Sequence, residues 1–283
     1  LTKYNEHPET KKLLPFNTLY WSGTGLSILN FEKDFLGLVR DGRIRVHIAD
    51  ITHLEENKVH LSDGSSLETE ILVCATGWKY APPFKFLPEK IQDRTGMFRP
   101  EDDPQTIARA DKEIMERFPV LLDQPTCAGC DVIDEGGRAG QMSYALYRGV
   151  VPPAFVQSRN LAYAGVVMST STTLIAQVQA LWIVAFLSGE LDIDSNSQSK
   201  TDGDDIMYEA VLQSRFYRWR APNGNGTKVP DMVFEVVPYI DNLLKDLKLN
   251  WCRKGGWREW FVPYELADYV GLVGEWASRR KKN

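Results

Sequence analysis

Short apolar runs punctuate this chain, and they differ in period. Ile44, Val46 and Ile48 alternate with Arg45 and His47, the two-residue rhythm of a half-buried strand. Val59 and Leu61 repeat it, and Asp63-Gly64 marks a tight turn behind them. From Ile71 to Ala75 the alternation disappears and every residue is apolar, as in a strand covered on both faces. That run stops at Thr76-Gly77, with Trp78 and Tyr80 just beyond. A glycine at a strand end lets the backbone leave the sheet sharply and lets another group come close. The pattern predicts a β-meander feeding a buried strand, preceded by a helix from about Asn30 to Val39 with Phe31 and Phe35 on one face.

Further on, "ADKEIMERF" (110 to 118) has helical spacing and is ended by Pro119. "MSYALYRGVVPP" predicts a short helix halted by Pro152-Pro153, and "LAYAGVV" (161 to 167) a second buried strand. The helix after it, about Ser171 to Leu187, is apolar nearly all round and stops at Gly189, so burial is expected. "DIDSNSQSKTDGDD" is polar and aperiodic and reads as a linker. The tail beyond it mixes turns with one amphipathic helix, about Pro238 to Leu247, and holds five of the eight tryptophans. That many rings call for packing onto the body of the protein.

Composition narrows the classes. In 283 residues, 43% are hydrophobic and 25% charged, which is globular usage and excludes a disordered chain. A net charge of −5, with one basic run at Arg279 to Lys282, gives no nucleic-acid footprint. Four cysteines do not make a disulfide framework, and with no secretory signal this suggests a reducing, cytoplasmic setting. Asn160 to Gly189 carries no charge and has the length of a membrane span. Its five successive hydroxyl residues, Ser169 to Thr173, and Gln177 and Gln179 argue for a buried strand and helix instead.

Several motifs point weakly at chemistry. Gly23-x-Gly25 lacks the third glycine of a phosphate cradle, since Ile28 stands there, and reads as a turn. Cys127-Ala-Gly-Cys130 has the spacing of a redox pair. His7, His47, His53 and His60 all lie in the first quarter, so none completes a zinc site with it, and no metal is expected. Cys74 reads as a buried strand residue, Cys252 as one packed among aromatics, and Asn225-Gly226-Thr227 as a turn.

"VHLSDGSSLETE" followed by "ILVCATGW" resembles the ATG segment of two-dinucleotide flavoproteins, above all flavin-containing monooxygenases. "LYRGVVPPAFVQSRNLAYAGVVMSTSTTLIAQVQALWIVAFLSGEL" is similar to the closing strand and helix of that family's flavin domain. Pro152-Pro153, Gly165, Gln179, Ala180 and Trp182 fill its recurring places, while Gln177 and Leu181 replace an acidic residue and an arginine. The resemblance implies an α/β fold: an incomplete two-dinucleotide-binding, Rossmann-like flavoprotein with a β-meander and a helical or irregular C-terminal tail.

It implies that residues 1–79 are the remainder of an NAD(P)-binding half and 80–192 the C-terminal part of an FAD-binding domain. A linker at 193–204 and a tail at 205–283 would follow. It also implies FAD and NADPH as cofactors and a small nucleophilic or carbonyl substrate, oxygenated through a flavin hydroperoxide. Thr76 and Gly77 would lie where the cofactors meet. Met168, Ser169, Thr170, Ser171 and Thr172 would line the flavin at the start of the buried helix, where backbone N–H groups and the helix dipole favour negative charge. Each segment also has a plain reading, as a strand stop and as an N-cap. The family's GxGxxG does not occur here, so the chain is expected to be a C-terminal portion, inactive alone, whose partner is an N-terminal half or a second copy. Two other readings stand beside this one. The first is a thioredoxin-reductase-like disulfide oxidoreductase using Cys127 and Cys130, and the second is a non-catalytic interaction remnant.

Overall fold

The computed structural model describes residues 2–14, 21, 32–76, 85–97, 103–124, 144–193, 204–221, 226 and 229–281. The chain divides into two compact units, Leu1–Lys79 and Tyr80–Asn283.

In the first unit, helices α1 (Thr2–Asn5), α2 (Pro8–Lys11) and α3 (Phe35–Arg40) accompany a small antiparallel sheet. Helix α3 begins later than the spacing predicts because Asp34 caps it, accepting from Gly37 N–H at 3.0 Å. Strands β1 (Ile51–Glu55), β2 (Lys58–Leu61) and β3 (Ser66–Glu68) run in the order β1-β2-β3. His53 stands opposite His60, and Val59 opposite Leu67. Asn57 (φ 57°) and Gly64 (φ 84°) take left-handed conformations at the two reversals. Val59 and Leu61 are buried, whereas all of β1 is exposed.

The meander is therefore present but shifted along the chain. Residues 44–48 form no strand, and Ile48 is exposed. Residues 71–75 are not a buried strand either. They carry no ladder, Ile71 and Val73 are 76% and 81% exposed, and Cys74 is exposed rather than structural. A strand covered on both faces needs a hydrogen-bonded neighbour and a layer over each face. Among the described residues nothing pairs with this segment.

The second unit is mainly helical: α4 (Pro104–Arg117), α5 (Thr172–Leu187), α6 (Asp204–Arg220), α7 (Val236–Asp246), α8 (Arg258–Phe261) and α9 (Leu272–Arg280). Asp103 caps α4 by accepting from Gln105 and Thr106 N–H, and the helix gives way at Phe118-Pro119. One core gathers Tyr147, Val150, Trp182, Phe186, Leu243, Leu247, Leu272 and Trp276, with α5 lying against α7 and α4 against α6.

Three expectations fail here, each for a local reason. Residues 144–152 turn back on themselves instead of forming a helix. Arg148 (φ 54°) and Gly149 (φ 64°) are both left-handed, and Tyr147 N–H donates to Val151 O at 2.7 Å. A Cβ on Gly149 would stand 2.9 Å from Val167, so glycine is also required by close packing. Residues 161–167 are not a strand, because Gly165 (φ 74°) breaks the extended backbone and only Met168 makes a single parallel bridge, to Asp231. Finally, α5 is buried on one face only. Leu174, Val178, Trp182 and Phe186 are inside, while Gln177, Ala180, Val184 and Leu187 face out. Among the described residues no helix is long and apolar enough to cross a membrane.

Candidate functional site

The hydroxyl-rich entry to α5 is fixed from its first residue. Met168 N–H donates to Pro230 O, and Met232 N–H donates to Met168 O, both at 2.9 Å. Ser171 N–H then donates to Ser169 Oγ, and Thr172 Oγ1 donates to Ser169 O, each at 3.0 Å. Ser171 occupies the N-cap position, yet among the described residues no side chain caps the helix. Thr170, Thr172 and Thr173 are exposed, and no acidic residue sits in the first turn. Among the described residues the leading N–H groups of α5 thus have neither an intrahelical partner nor a capping side chain, and they carry the positive end of the helix dipole. Such a donor set suits an acceptor oxygen with partial or full negative charge.

Behind this entry, the residues that carry the resemblance form a buried polar relay. Gly165 N–H donates to Gln179 Oε1 at 3.2 Å. Gln179 Nε2 lies 2.7 Å from Tyr239 Oη, and that hydroxyl donates to Arg148 O at 2.9 Å. A Cβ at Gly165 would meet nothing within 4 Å, so this backbone borders open space. Trp182 Nε1 donates to Asp246 Oδ2 at 2.9 Å. Arg148 grips the same carboxylate through Nε (2.8 Å) and Nη2 (3.3 Å), and it also meets Glu209. Burial opposes the Arg148 charge, but Asp246, Tyr147 and Glu209 outweigh it and raise its pKa. Burial pushes Tyr239 and Tyr147 well above the ordinary phenol range, so both remain protonated donors.

The structure brings Met168, Ser169, Thr170, Ser171 and Thr172 into one turn. Thr76 belongs to the first unit, exposed at the end of an extended segment. Gly77, Trp78, Tyr80, Gly23, Gly25, Cys127 and Cys130 lie outside the described residues, as does most of the 193–204 linker. Cys252 is half-buried. A cavity of about 490 Å³ in the first unit is lined by Glu32, Lys33, Phe35 and Leu38, none of them a predicted contact. Sequence reasoning missed Arg148, Glu209, Tyr239 and Asp246. Their partners are 60 to 98 residues away, and no local period signals such pairings.

The mixture of helices with a small three-stranded antiparallel sheet is compatible with an α/β fold. Comparison with known proteins makes the class specific. The chain is 29% identical to the FAD-dependent monooxygenase rstn6 of Aspergillus nomiae, over 98% of this chain and 48% of that protein. It is 28% identical to the FAD-dependent monooxygenase resA of Aspergillus sclerotiorum, with the same coverage. It is 26% identical to the FAD-dependent monooxygenase DEP4 of Fusarium langsethiae, over 98% of this chain and 47% of that protein. The chain spans about half the length of the curated relatives it matches, and it corresponds to a C-terminal portion of such a protein. No family model and no solved structure matches. These relatives are named for FAD-dependent monooxygenation, and they favour neither a disulfide oxidoreductase nor an interaction remnant.

Proposed function

We propose that this chain serves an FAD- and NADPH-dependent monooxygenase that oxygenates a small nucleophilic or carbonyl substrate. The observation that carries the reading is a likeness over 98% of the chain to proteins named for FAD dependence. The bare start of α5 supports it, because its donors fit a flavin carbonyl and no first-turn acid opposes negative charge there. When bound, FAD would supply the redox and oxygen chemistry, and the protein would position it. The N–H groups after Ser171 would orient the ring, with Met168 to Thr172 along its edge. Thr76 and Gly77 would keep the role that the family resemblance implies, where the cofactors meet. No general acid or base is assigned.

In this reading residues 1–79 are the remainder of a Rossmann-like NAD(P)-binding half, and 80–192 complete an FAD-binding domain. Residues 193–204 link them to a tail, 205–283, packed on the body. The FAD pyrophosphate would be cradled by the part of the relatives that this chain does not match, and the chain alone would be inactive. Cysteine usage supports a cytoplasmic setting.

Reconstitution tests the proposal. The chain is purified alone and then together with the unmatched half of the Aspergillus nomiae relative. Alone it should be colourless and should not oxidise NADPH; the pair should be yellow and should do so. A colourless pair, or stoichiometric flavin on the chain alone, would overturn it.

A further inference from the structure

The β1–β2 hairpin places three metal-ligating side chains together, far in sequence from the helix assigned to the flavin. His53 and His60 are direct partners across the antiparallel pair. Glu55 is two residues from His53 on β1 and so shares its face. The two imidazoles are stacked, with centroids 4.1 Å apart and planes 7° apart. Glu55 reaches both, with Oε1 3.7 Å from His53 Nε2 and Oε2 3.2 Å from His60 Nε2. One donor atom from each residue lies within 4.8 Å of the other two.

The surroundings accommodate a metal-binding tautomer. Thr52 Oγ1 donates its only proton to His60 O at 3.2 Å. The same oxygen lies 3.2 Å from His53 Nδ1. With its proton directed to His60 O, that oxygen can accept from the Nδ1-protonated tautomer of His53, the one that leaves the Nε2 lone pair available to a metal. His60 Nε2 is shut off from solvent and lacks an aligned hydrogen bond, although it faces the Glu55 carboxylate. Both Nε2 atoms therefore stand beside one anionic oxygen pair, while the His53 and Glu55 side chains are 58% and 57% exposed.

We propose that His53, Glu55 and His60 form a surface site for a borderline divalent cation such as Zn²⁺. Two imidazole nitrogens and a carboxylate oxygen suit Zn²⁺, Cu²⁺ or Ni²⁺ better than Ca²⁺ or Mg²⁺. Zinc bonds of about 2.0–2.1 Å put tetrahedral ligand atoms roughly 3.3 Å apart, close to the 3.7 and 3.2 Å between the Glu55 oxygens and the two Nε2 atoms. The rings must tilt out of their parallel stack to aim both lone pairs at one point, a χ2 rotation open to surface side chains. Lys58, the cross-strand partner of Glu55, is the competing cation. The ion would clamp β1 to β2 and keep a coordination position for water. The site does not depend on the flavin reading.

The test is calorimetric titration of Zn²⁺ into the full chain, in a Cys127→Ser/Cys130→Ser background that removes the CxxC as a rival ligand. Saturable 1:1 binding is expected. His53→Ala and His60→Ala should each weaken it at least about tenfold, and Thr52→Val should weaken it less. His7→Ala and His47→Ala should leave it unchanged. Circular dichroism melts without metal should match the parent for Thr52→Val and His53→Ala, whose side chains are exposed, and should show His60→Ala still folded. No saturable binding, or binding that survives either His53→Ala or His60→Ala, would overturn the two-imidazole site.

Discussion

Gln179 Nε2 lies 2.7 Å from the hydroxyl of Tyr239, sixty residues away, and both side chains are buried. This contact joins α5 to α7 and ties the Gly165 backbone to the turn at Arg148. In the second unit it does with hydrogen bonds what the neighbouring apolar side chains do by packing. It also keeps the start of α5 in register with the segment before it.

Gln179→Leu should therefore cost about 1 kcal/mol, because it removes the buried hydrogen bond to Tyr239 and the one from the exposed Gly165 N–H. Tyr239→Phe should cost about 1 kcal/mol, through the lost donation to Arg148 O. Urea unfolding of both single variants and the double variant measures the coupling. A double loss smaller than the sum is expected, since the residues share one network.

Asp246 accepts from Trp182 and from two nitrogens of Arg148. Asp246→Ala should cost roughly 3 kcal/mol, since it strips a largely buried guanidinium of its main partner. Glu209 remains beside Arg148 and limits the loss. Thermal melts followed by tryptophan fluorescence give both the stability change and the altered surroundings of Trp182.

Arg215, 1% exposed, holds Asp111 through Nε (2.6 Å) and Nη2 (2.5 Å), and Trp219 Nε1 donates to the same carboxylate at 2.8 Å. An ammonium group cannot reproduce that fork. Arg215→Lys should destabilise the α4–α6 contact by about 2 kcal/mol, read as earlier loss of amide exchange protection in those helices.

Asp241 has one carboxylate oxygen shut off from solvent without a hydrogen bond, and burial raises its pKa against the pull of Lys245. A folded value above the unfolded one favours the protonated form in the native state. That contribution is complete below the ordinary carboxylate range, at about 3.9, and is lost as pH rises through the raised value. Asp241→Asn should raise Tm at pH 7 and leave it nearly unchanged at pH 3.5. An equal gain at both values would mean that ionisation is not the cause.

Thr172→Asp separates the two readings of the α5 entry. As a purely structural helix start, an acid there should add about 0.3–1 kcal/mol of stability through the dipole. If the bare donors receive a flavin oxygen, the same change should also weaken FAD binding about tenfold in the reconstituted pair. Flavin fluorescence and a thermal melt on one variant read the two effects with opposite signs.

Several elements were legible because their hydrogen bonds close within the segment itself. Helix α5 begins at Thr172, within the hydroxyl run, and α7 (Val236–Asp246) covers nearly all of the amphipathic stretch expected from Pro238 to Leu247. Helix α4 stops before Pro119, and Asp63-Gly64 turns as its residues demand. The flavin contacts were named from family likeness, since no period or spacing marks them. Helix α6 escaped notice because Ser214, Arg215 and Arg218 are buried beside Ala210 and Val211, which erases any polar face. Tertiary structure alone decided the fate of the apolar runs at 71–75 and 161–167. A strand's donors and acceptors are satisfied only by other strands, and apolar composition cannot say whether those neighbours are there. The relay from Gly165 to Arg148 and the His53–Glu55–His60 cluster have the same origin. Each is assembled across strands or between helices, where chain folding, rather than sequence spacing, sets the distance.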